Sequence, residues 1–328
     1  MMIIKESDIS RFLHSRVALT IIAIIAFITT NSAFSNGDIT PILDDKGLGL
    51  TPINRWLEPG RFSMIVSVLL NIGIALLMIY LNKAFNILRN PTILFAGLFL
   101  VLQLPLTTLT GQLYGGTVLC AVILLCAFFL FSSYNSPNPW AVFTISAILS
   151  FGTFYQYAFM FFAPIMLIGC VQMRILDLRI ILSAIFGFVT PPWILFGFGI
   201  LNSQNFVFPQ FTSIYSQLSS AEALQMLVTI GISAFTCLGA WAANIVKIIS
   251  YNAQTRAYNG FFAMLSLLSI LLMLIDFTNF IIYVPILNCC AALQLGHLFT
   301  IYESRRSYIG IIAVFVVYFA LYLWGAWT

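Results

Sequence analysis

Residues 62–81 read FSMIVSVLLNIGIALLMIYL, and the rest of the sequence is interpreted from this stretch outward. None of its side chains is charged. A helix of about twenty residues rises about 30 Å, which matches the hydrocarbon thickness of a bilayer. Similar stretches recur along the chain, separated by short polar segments and by Pro or Gly clusters. This pattern is typical of a protein that crosses a membrane many times.

The composition supports the same fold class. The chain has 328 residues, of which 61% are hydrophobic and 7% are charged, and its mean hydropathy is +1.02. Soluble domains contain about 25% charged residues, so a soluble protein is excluded. We predict an all-α, polytopic membrane helix bundle that occupies residues 1–328 as a single domain. Hydropathy places about eleven transmembrane helices at roughly 17–34, 62–81, 91–109, 116–132, 139–154, 157–173, 180–200, 226–246, 260–275, 279–300 and 308–326.

The N-terminus sets the predicted orientation. MMIIKESDISRFLHSR is polar and basic, and an apolar run follows it, as in a signal peptide. We interpret this run as a retained first membrane helix. Lys5, Arg11 and Arg16 precede or begin it, so the positive-inside rule predicts a cytoplasmic N-terminus.

The other charges agree with eleven spans in this orientation. Of the fourteen basic residues, eleven fall on the predicted inner side, whereas Lys46, Arg55 and Arg61 fall outside. Six of the ten acidic residues fall on the outer side, so the inner segments sum to +7 and the outer segments to −3. Removing one span would place basic residues on both sides of the membrane. The charge distribution therefore favours the count of eleven.

Two predicted outer loops, at about 35–61 and about 201–225, are longer than the usual few residues. The first reads SNGDITPILDDKGLGLTPINRWLEPGR and the second LNSQNFVFPQFTSIYSQLSSAEALQ. Both mix aromatic and apolar residues with polar ones, which predicts short amphipathic pieces in the membrane interface. We therefore expect any chemistry or contact to lie on the outer face.

The first outer loop holds the main candidate site. Asp38 and the adjacent pair Asp44 and Asp45 offer carboxylates that act as a general base toward a hydroxyl acceptor, or that bind a divalent cation bridging a pyrophosphate. Arg55 and Arg61 are suited to hold the phosphate oxygens of a lipid carrier. The alternative interpretation is that these are solvated charges of an exterior loop.

Other ionisable residues lie in or near the predicted spans. Asp276 is at the outer end of the ninth span, where an acid costs little, and we count it as a candidate substrate-binding residue. His297 is near the inner end of the tenth span with Gln294 one turn earlier, which indicates a structural histidine or a proton relay. The six cysteines form no CxxC motif or Cys/His cluster, so they predict no metal site and are interpreted as small buried apolar residues.

Several function classes are excluded or disfavoured. The sequence contains no GxxxxGK[ST] loop, which excludes a self-contained ATP-driven pump, and we expect no nucleic-acid partner. Prolines at 105, 164, 191, 192 and 285 break or kink predicted helices. Transporters use broken helices, but no paired, symmetry-related breaks are visible, which weakens an inverted-repeat transporter.

The middle of the chain resembles a family of multipass inner-membrane proteins from Bacteroidota that has no assigned activity. The resemblance rests on LNKAFNILRNPTIL (81–94), FSSYNSPNPWAVFTISAILSFGTFYQYAFMFFAPIML (131–167) and RILDLRIILSAIFGFVTPPWIL (174–195), about half of the chain. It implies a bacterial inner-membrane location.

The loop placement is similar to that of membrane glycosyltransferases that use polyprenyl-phosphate sugars. Those enzymes carry acidic residues in the first outer loop and a second long outer loop after the seventh span. The resemblance implies a polyprenyl-phosphate carrier as partner and Asp38, Asp44 or Asp45 as the base.

Three functions stay open at this point. The first is an envelope-glycan membrane enzyme of the lipid-linked glycosyltransferase or polymerase type, in which Arg55 or Arg61 holds the carrier phosphate. The second is a non-catalytic membrane subunit of an envelope secretion or translocation complex, since the chain has little soluble mass. The third is a transporter or lipid flippase. All three place the protein among membrane lipids.

Overall fold

A computed structural model describes residues 15–36, 47–58, 60–88, 93–201, 221–276, 279–301 and 305–327 of the chain. All the regular secondary structure in these residues is helical. Twelve α-helices are assigned within them: α1 Arg16–Asn36, α2 Arg61–Phe85, α3 Leu94–Gln103, α4 Thr107–Thr110, α5 Gly115–Ser132, α6 Pro139–Tyr155, α7 Phe162–Gln172, α8 Leu178–Gly197, α9 Ala221–Ile248, α10 Ala253–Ile275, α11 Phe280–Ile301 and α12 Arg305–Trp327. Two 3₁₀ segments, Ile53–Arg55 and Tyr157–Phe161, connect them.

The helical membrane bundle predicted from the sequence is confirmed, but the number of spans is not. Six helices in the described residues are long and apolar enough to cross a membrane, namely α2, α5, α8, α9, α10 and α11. Each of the other predicted spans corresponds to a shorter stretch of apolar helix, such as Leu94–Gln103, which ends just before Pro105. Eleven spans and a cytoplasmic N-terminus therefore stay predictions.

The helix α11 lies at the centre of the bundle. It packs against α3, α5, α9 and α10, and 89% of its membrane-length window is buried. Small side chains allow this close packing: a Cβ atom added to Gly296 would lie 2.8 Å from the Cβ of Phe95 on α3. We refer to α11 as the central helix.

The pair α6 and α8 lies at the periphery. Gly187 of α8 allows close approach to α6, since an added Cβ would lie 2.4 Å from the carbonyl oxygen of Phe143. Two hydroxyls tie the pair together, because Ser150 donates to the carbonyl of Phe188 at 2.6 Å and Ser183 donates to the carbonyl of Pro139 at 2.5 Å. Only 22% of the apolar window of α8 is buried. Its outward side is therefore available to lipid.

The end of the first predicted outer loop folds back onto the bundle. The Leu50 amide donates to the carbonyl of Phe154 at 3.1 Å, and the Gly115 amide donates to the side-chain oxygen of Asn54 at 2.7 Å. Trp56 packs edge-to-face on Tyr155 with ring centroids 5.1 Å apart. We call the end of the bundle that carries residues 47–58 the outer end, and the opposite end the inner end, after the predicted orientation.

Candidate functional site

The predicted site in the first outer loop is only partly described. Asp38, Asp44 and Asp45 lie outside the described residues, so their proposed role as base is untested. Arg55 is exposed in the 3₁₀ segment, and Arg61 is exposed at the first position of α2. Both arginines are thus available to solvent at the outer end.

Asp276 does not share that exposed surface. It follows the last residue of α10, as predicted, but its side chain is completely buried (0% exposed) rather than placed at a wet interface. A buried acid within a membrane bundle is costly and usually functional. Burial therefore distinguishes Asp276 from the two exposed arginines and makes it the more informative residue.

Three neutral side chains hold the carboxylate of Asp276. The hydroxyls of Tyr157 and Tyr283 donate to Oδ2 at 2.6 and 2.9 Å, and the amide of Asn279 donates to Oδ1 at 2.9 Å. Asn279 also donates to the hydroxyl of Tyr157. These four residues, here called the outer cluster, are each at most 3% exposed. Both carboxylate oxygens thus accept hydrogen bonds from side chains, which replace hydration that burial removes.

The outer cluster joins elements that are distant in sequence. Tyr157 belongs to the 3₁₀ segment between α6 and α7, whereas Asp276 and Asn279 belong to the connection between α10 and α11. Sequence reasoning found Asp276 but missed its partners. Tyr157 lies in the aromatic run FYQYAF, which is typical of core packing. Tyr283 and Asn279 show no functional signal by themselves, and only their contacts with Asp276 identify them as site residues. A usable signal was present in DFTNFIIY, where Asp276, Asn279 and Tyr283 recur at helical spacing of three and four.

A second buried polar cluster lies at the inner end. The Nε2 of His297 lies 2.5 Å from the side-chain oxygen of Asn259. The amide nitrogen of Asn259 donates to the carbonyls of Ile87 and Thr255 at 3.1 and 2.9 Å, so its oxygen faces the histidine. Nε2 therefore carries the imidazole proton and donates it to Asn259. We call His297 and Asn259, both at most 2% exposed, the inner cluster.

The central helix connects the two clusters and carries further polar groups between them. Asn288 donates to the carbonyl of Leu102 at 3.3 Å, and Asn244 of α9 donates to the backbone carbonyl of Gln294 at 2.7 Å. Among the described residues, no hydrogen-bond partner is found for four buried atoms near this helix: the Tyr114 hydroxyl, Asn288 Oδ1, Asn244 Oδ1 and Gln294 Nε2. A buried polar atom left unpaired costs about 1–3 kcal/mol, and ordered water commonly satisfies such atoms.

The cysteines show a grouping that the sequence did not reveal. All six are buried and free of disulfides. Cys120 of α5 contacts Cys289 of α11 and donates to the carbonyl of Pro285 at 3.6 Å. In the part of the chain that the structure describes, no group of three His, Cys, Asp or Glu side chains is arranged to hold a metal ion. We therefore treat these thiols as packing groups of the bundle centre.

An apolar groove lies between α6, α7 and α8. Its volume is about 340 Å³. Ser146 is the polar contributor to a lining that otherwise consists of apolar side chains: Met160, Ala163, Pro164, Leu167, Ala184, Ile185, Phe188 and Val189. The 3₁₀ segment that supplies Met160 to this groove also supplies Tyr157 to the outer cluster. The groove is suited to an acyl or prenyl chain.

Comparison of the chain with known protein families, characterised proteins and solved structures finds no match. The resemblance to the Bacteroidota family and the architectural likeness to glycosyltransferases therefore stay predictions.

Proposed function

We propose that the protein is a membrane transporter in which the central helix forms the axis of the transport path. The observation that carries the proposal is the position of the two buried ionisable residues. Asp276 directly follows α10 and lies four positions before the first residue of α11, and His297 lies near the inner end of α11. Ionisable residues inside membrane bundles commonly mark ion or substrate pathways.

In this proposal the two clusters act as alternating seals. The outer cluster closes the outer end by tying the 3₁₀ segment Tyr157–Phe161 to the connection before α11. The inner cluster closes the inner end by tying α10 and α11 to the carbonyl of Ile87 after α2. Pro285 interrupts the hydrogen bonding of α11 between them and gives the helix a point at which to bend. Opening one seal at a time would expose the bundle centre to one side of the membrane. The proposed location is the bacterial inner membrane, in keeping with the resemblance stated above.

Accessibility of buried positions to a membrane-impermeant maleimide tests this proposal. Ala158→Cys reports on the outer seal and Leu295→Cys on the inner seal, since both positions are at most 4% exposed. We expect Ala158→Cys to react from the outside and Leu295→Cys from the inside of oriented vesicles. Mass spectrometry locates the modified residue, and native Cys126, buried in α5, serves as an internal control that stays unmodified.

A static bundle gives the opposite result. Both reporters would then stay as unreactive as Cys126 until the protein is unfolded, and the transport proposal would be abandoned.

A second candidate function is the lipid-linked glycosyltransferase or polymerase. The specific observations in its favour are the groove between α6, α7 and α8, which has room for a prenyl chain, and the exposed Arg55 and Arg61 at the outer end. In this case the arginines hold the carrier phosphate, and Asp38, Asp44 or Asp45 acts as base toward the acceptor hydroxyl, with a divalent cation where a pyrophosphate is bound.

Native mass spectrometry of the protein from its own host separates these candidates. A copurified polyprenyl-phosphate species would support the enzyme, and loss of glycan product in an Asp44→Asn, Asp45→Asn double variant would then be expected, with Glu58→Gln as the matched control. A stoichiometric protein partner would instead favour the non-catalytic subunit of an envelope complex.

A further inference from the structure

We infer that the ion coupled to transport is the proton, which binds Asp276 at the outer end and His297 at the inner end of the central helix; this inference rests on the transport function proposed above. The two residues are 21 positions apart. Residues 280–297 of α11 rise about 25 Å at about 1.5 Å per residue, most of the roughly 30 Å thickness of a hydrocarbon core, and Asp276 lies before the first turn of this helix. The fold thus places one titratable group beside each end of the central helix.

The direction of the hydrogen bonds favours a proton over a metal cation. Both tyrosine hydroxyls and the Asn279 amide point donor hydrogens at the carboxylate. A bound Na⁺ or Ca²⁺ requires the lone pairs of such oxygens to point at the ion instead. At the inner end the imidazole N–H likewise faces the oxygen of Asn259. Both clusters are therefore arranged to exchange protons.

Unpaired polar atoms lie at intermediate levels between the clusters. The ring of Tyr114 lies against α11, because both Tyr114 Cε2 and the carbonyl of Ile282 lie within 2.7 Å of where a Gly116 Cβ would be. The unpaired Oδ1 of Asn288 belongs to the middle of α11. The unpaired Gln294 Nε2 is on α11 about one turn before His297, and the unpaired Asn244 Oδ1 belongs to a side chain that is hydrogen-bonded to Gln294. Each is a site at which a water molecule gains a hydrogen bond that the described residues do not supply.

The proposed transfer conserves protons and involves no redox change. A proton from outer water forms an O–H bond on the Asp276 carboxylate and leaves it through water, each hop breaking one O–H bond as the next forms. The imidazole of His297 accepts the proton on one nitrogen and releases one to inner water. Amide side chains position the water and take no proton. The other titratable groups beside the two ends are Tyr157 and Tyr283 at Asp276, and Tyr251, whose ring is 6.4 Å from that of His297.

The first experiment measures the outer seal as a function of external pH. Proton binding to Asp276 removes the charge that the tyrosines bind, so we expect Ala158→Cys to react about tenfold faster at about pH 4 than at about pH 8, after normalisation for thiol reactivity. The exposed reporter Glu58→Cys supplies that normalisation. Adding Asp276→Asn should make the reaction fast and independent of pH, whereas adding Glu222→Gln, an acid of α9, should leave the pH response unchanged.

The second experiment tests the path through the bundle centre. Asn288→Leu preserves side-chain size and removes the unpaired oxygen. In vesicles that contain a pH-sensitive dye and carry a potassium diffusion potential, we expect wild-type protein to admit protons and Asn288→Leu to admit them about tenfold more slowly. Equal rates for the two proteins, both folded, would overturn the path.

The outcomes distinguish this inference from the function on which it rests. If both reporters react from their own sides but the rate of Ala158→Cys is the same at both pH values, proton coupling is wrong and transport stands. If neither reporter reacts at any pH, transport and proton coupling are both overturned.

Discussion

Asp276 shows how a single charged residue is accommodated in an apolar bundle. Taking a carboxylate out of water is strongly unfavourable unless hydrogen bonds replace its hydration. Here two hydroxyls and one amide do so, and they come from the 3₁₀ segment Tyr157–Phe161, from α11 and from the connection that precedes α11. The carboxylate consequently acts as a junction between parts of the chain that are more than a hundred residues apart.

The hydrogen bond from Tyr157 should therefore contribute measurably to stability. We expect Tyr157→Phe to lower the free energy of unfolding by about 1.5–3 kcal/mol, since it removes a hydrogen bond to a charged, buried group. Tyr80→Phe is the matched control, because Tyr80 is 55% exposed and stacks on Phe128 through its ring. Unfolding in mixed detergent measures both. Equal stability of the two variants would contradict the assignment of the Tyr157 hydroxyl to Asp276.

The sequence could locate Asp276 but could not reveal its burial. Hydropathy placed it at a span end, where an acid is ordinarily wet, and that expectation ignores neighbouring segments. The burial arises from Tyr157 and from α11, which approach in three dimensions and leave no local pattern. The same reason hid the inner cluster, since Asn259 reads as a polar residue near the start of α10.

At the scale of helices, Pro285 is the most informative position of the central helix. Proline inside a helix costs about 3 kcal/mol relative to alanine, and the fold retains it in the most buried of its membrane-length helices. We expect Pro285→Ala to keep or raise thermal stability while slowing the reaction of the Ala158→Cys reporter, because a regular helix resists bending.

Pro164→Ala serves as the control for that substitution. Pro164 lies in the first turn of α7, where proline removes no helical hydrogen bond, so its replacement should leave both stability and reporter reaction unchanged. A normal reporter rate in Pro285→Ala would show that bending at this position is not required.

The contact between α6 and α8 depends on a single missing side chain. An added methyl group at Gly187 would lie 2.4 Å from the backbone oxygen of Phe143, and backbone gives way less readily than a side chain. We expect Gly187→Ala to destabilise the protein by about 1–3 kcal/mol, as overpacking typically does. Gly197→Ala, in the same helix with no atom within 4 Å, should be neutral or slightly stabilising. Thermal denaturation in detergent compares them.

The positions of the helices in the sequence could be predicted to within a few residues. Which helices lie at the centre of the bundle and which at its periphery could not. The prediction at 279–300 agrees with α11 at Phe280–Ile301, because a long apolar run fixes a membrane helix locally. That α11 is central and α8 peripheral depends on which faces meet. Both runs are similarly apolar, so hydropathy does not distinguish them. Pro105 is the opposite case, since it ends α3 early and divides the predicted span 91–109 into α3 and α4.

At the scale of the whole molecule, the polar clusters lie at opposite ends of one axis, and apolar surface surrounds them. α11 crosses between the ends, while α8 presents exposed residues such as Trp193 and Phe196 to the surroundings. A lipid-facing apolar surface is expected where the surrounding medium is itself apolar. The arrangement concentrates polar chemistry along the axis, which is why the transport proposal depends on orientation across the membrane.

That orientation can be tested by determining whether the number of membrane spans is odd or even. An odd number of spans with a cytoplasmic N-terminus places the C-terminus outside, whereas an even number returns it to the cytoplasm. We expect alkaline phosphatase to be active when fused after Thr328, and green fluorescent protein to be fluorescent when fused after Met173, at the end of α7 on the predicted inner side. Because the two reporters work on opposite sides of the membrane, exchanging them between positions provides the control.

An active phosphatase at Met173 would invert the bundle and assign Asp276 to the cytoplasmic end. A fluorescent fusion at Thr328 together with one at Met173 would mean that one helix after Met173, such as the shorter apolar helix α12, does not cross the membrane, and the eleven-span count would be wrong.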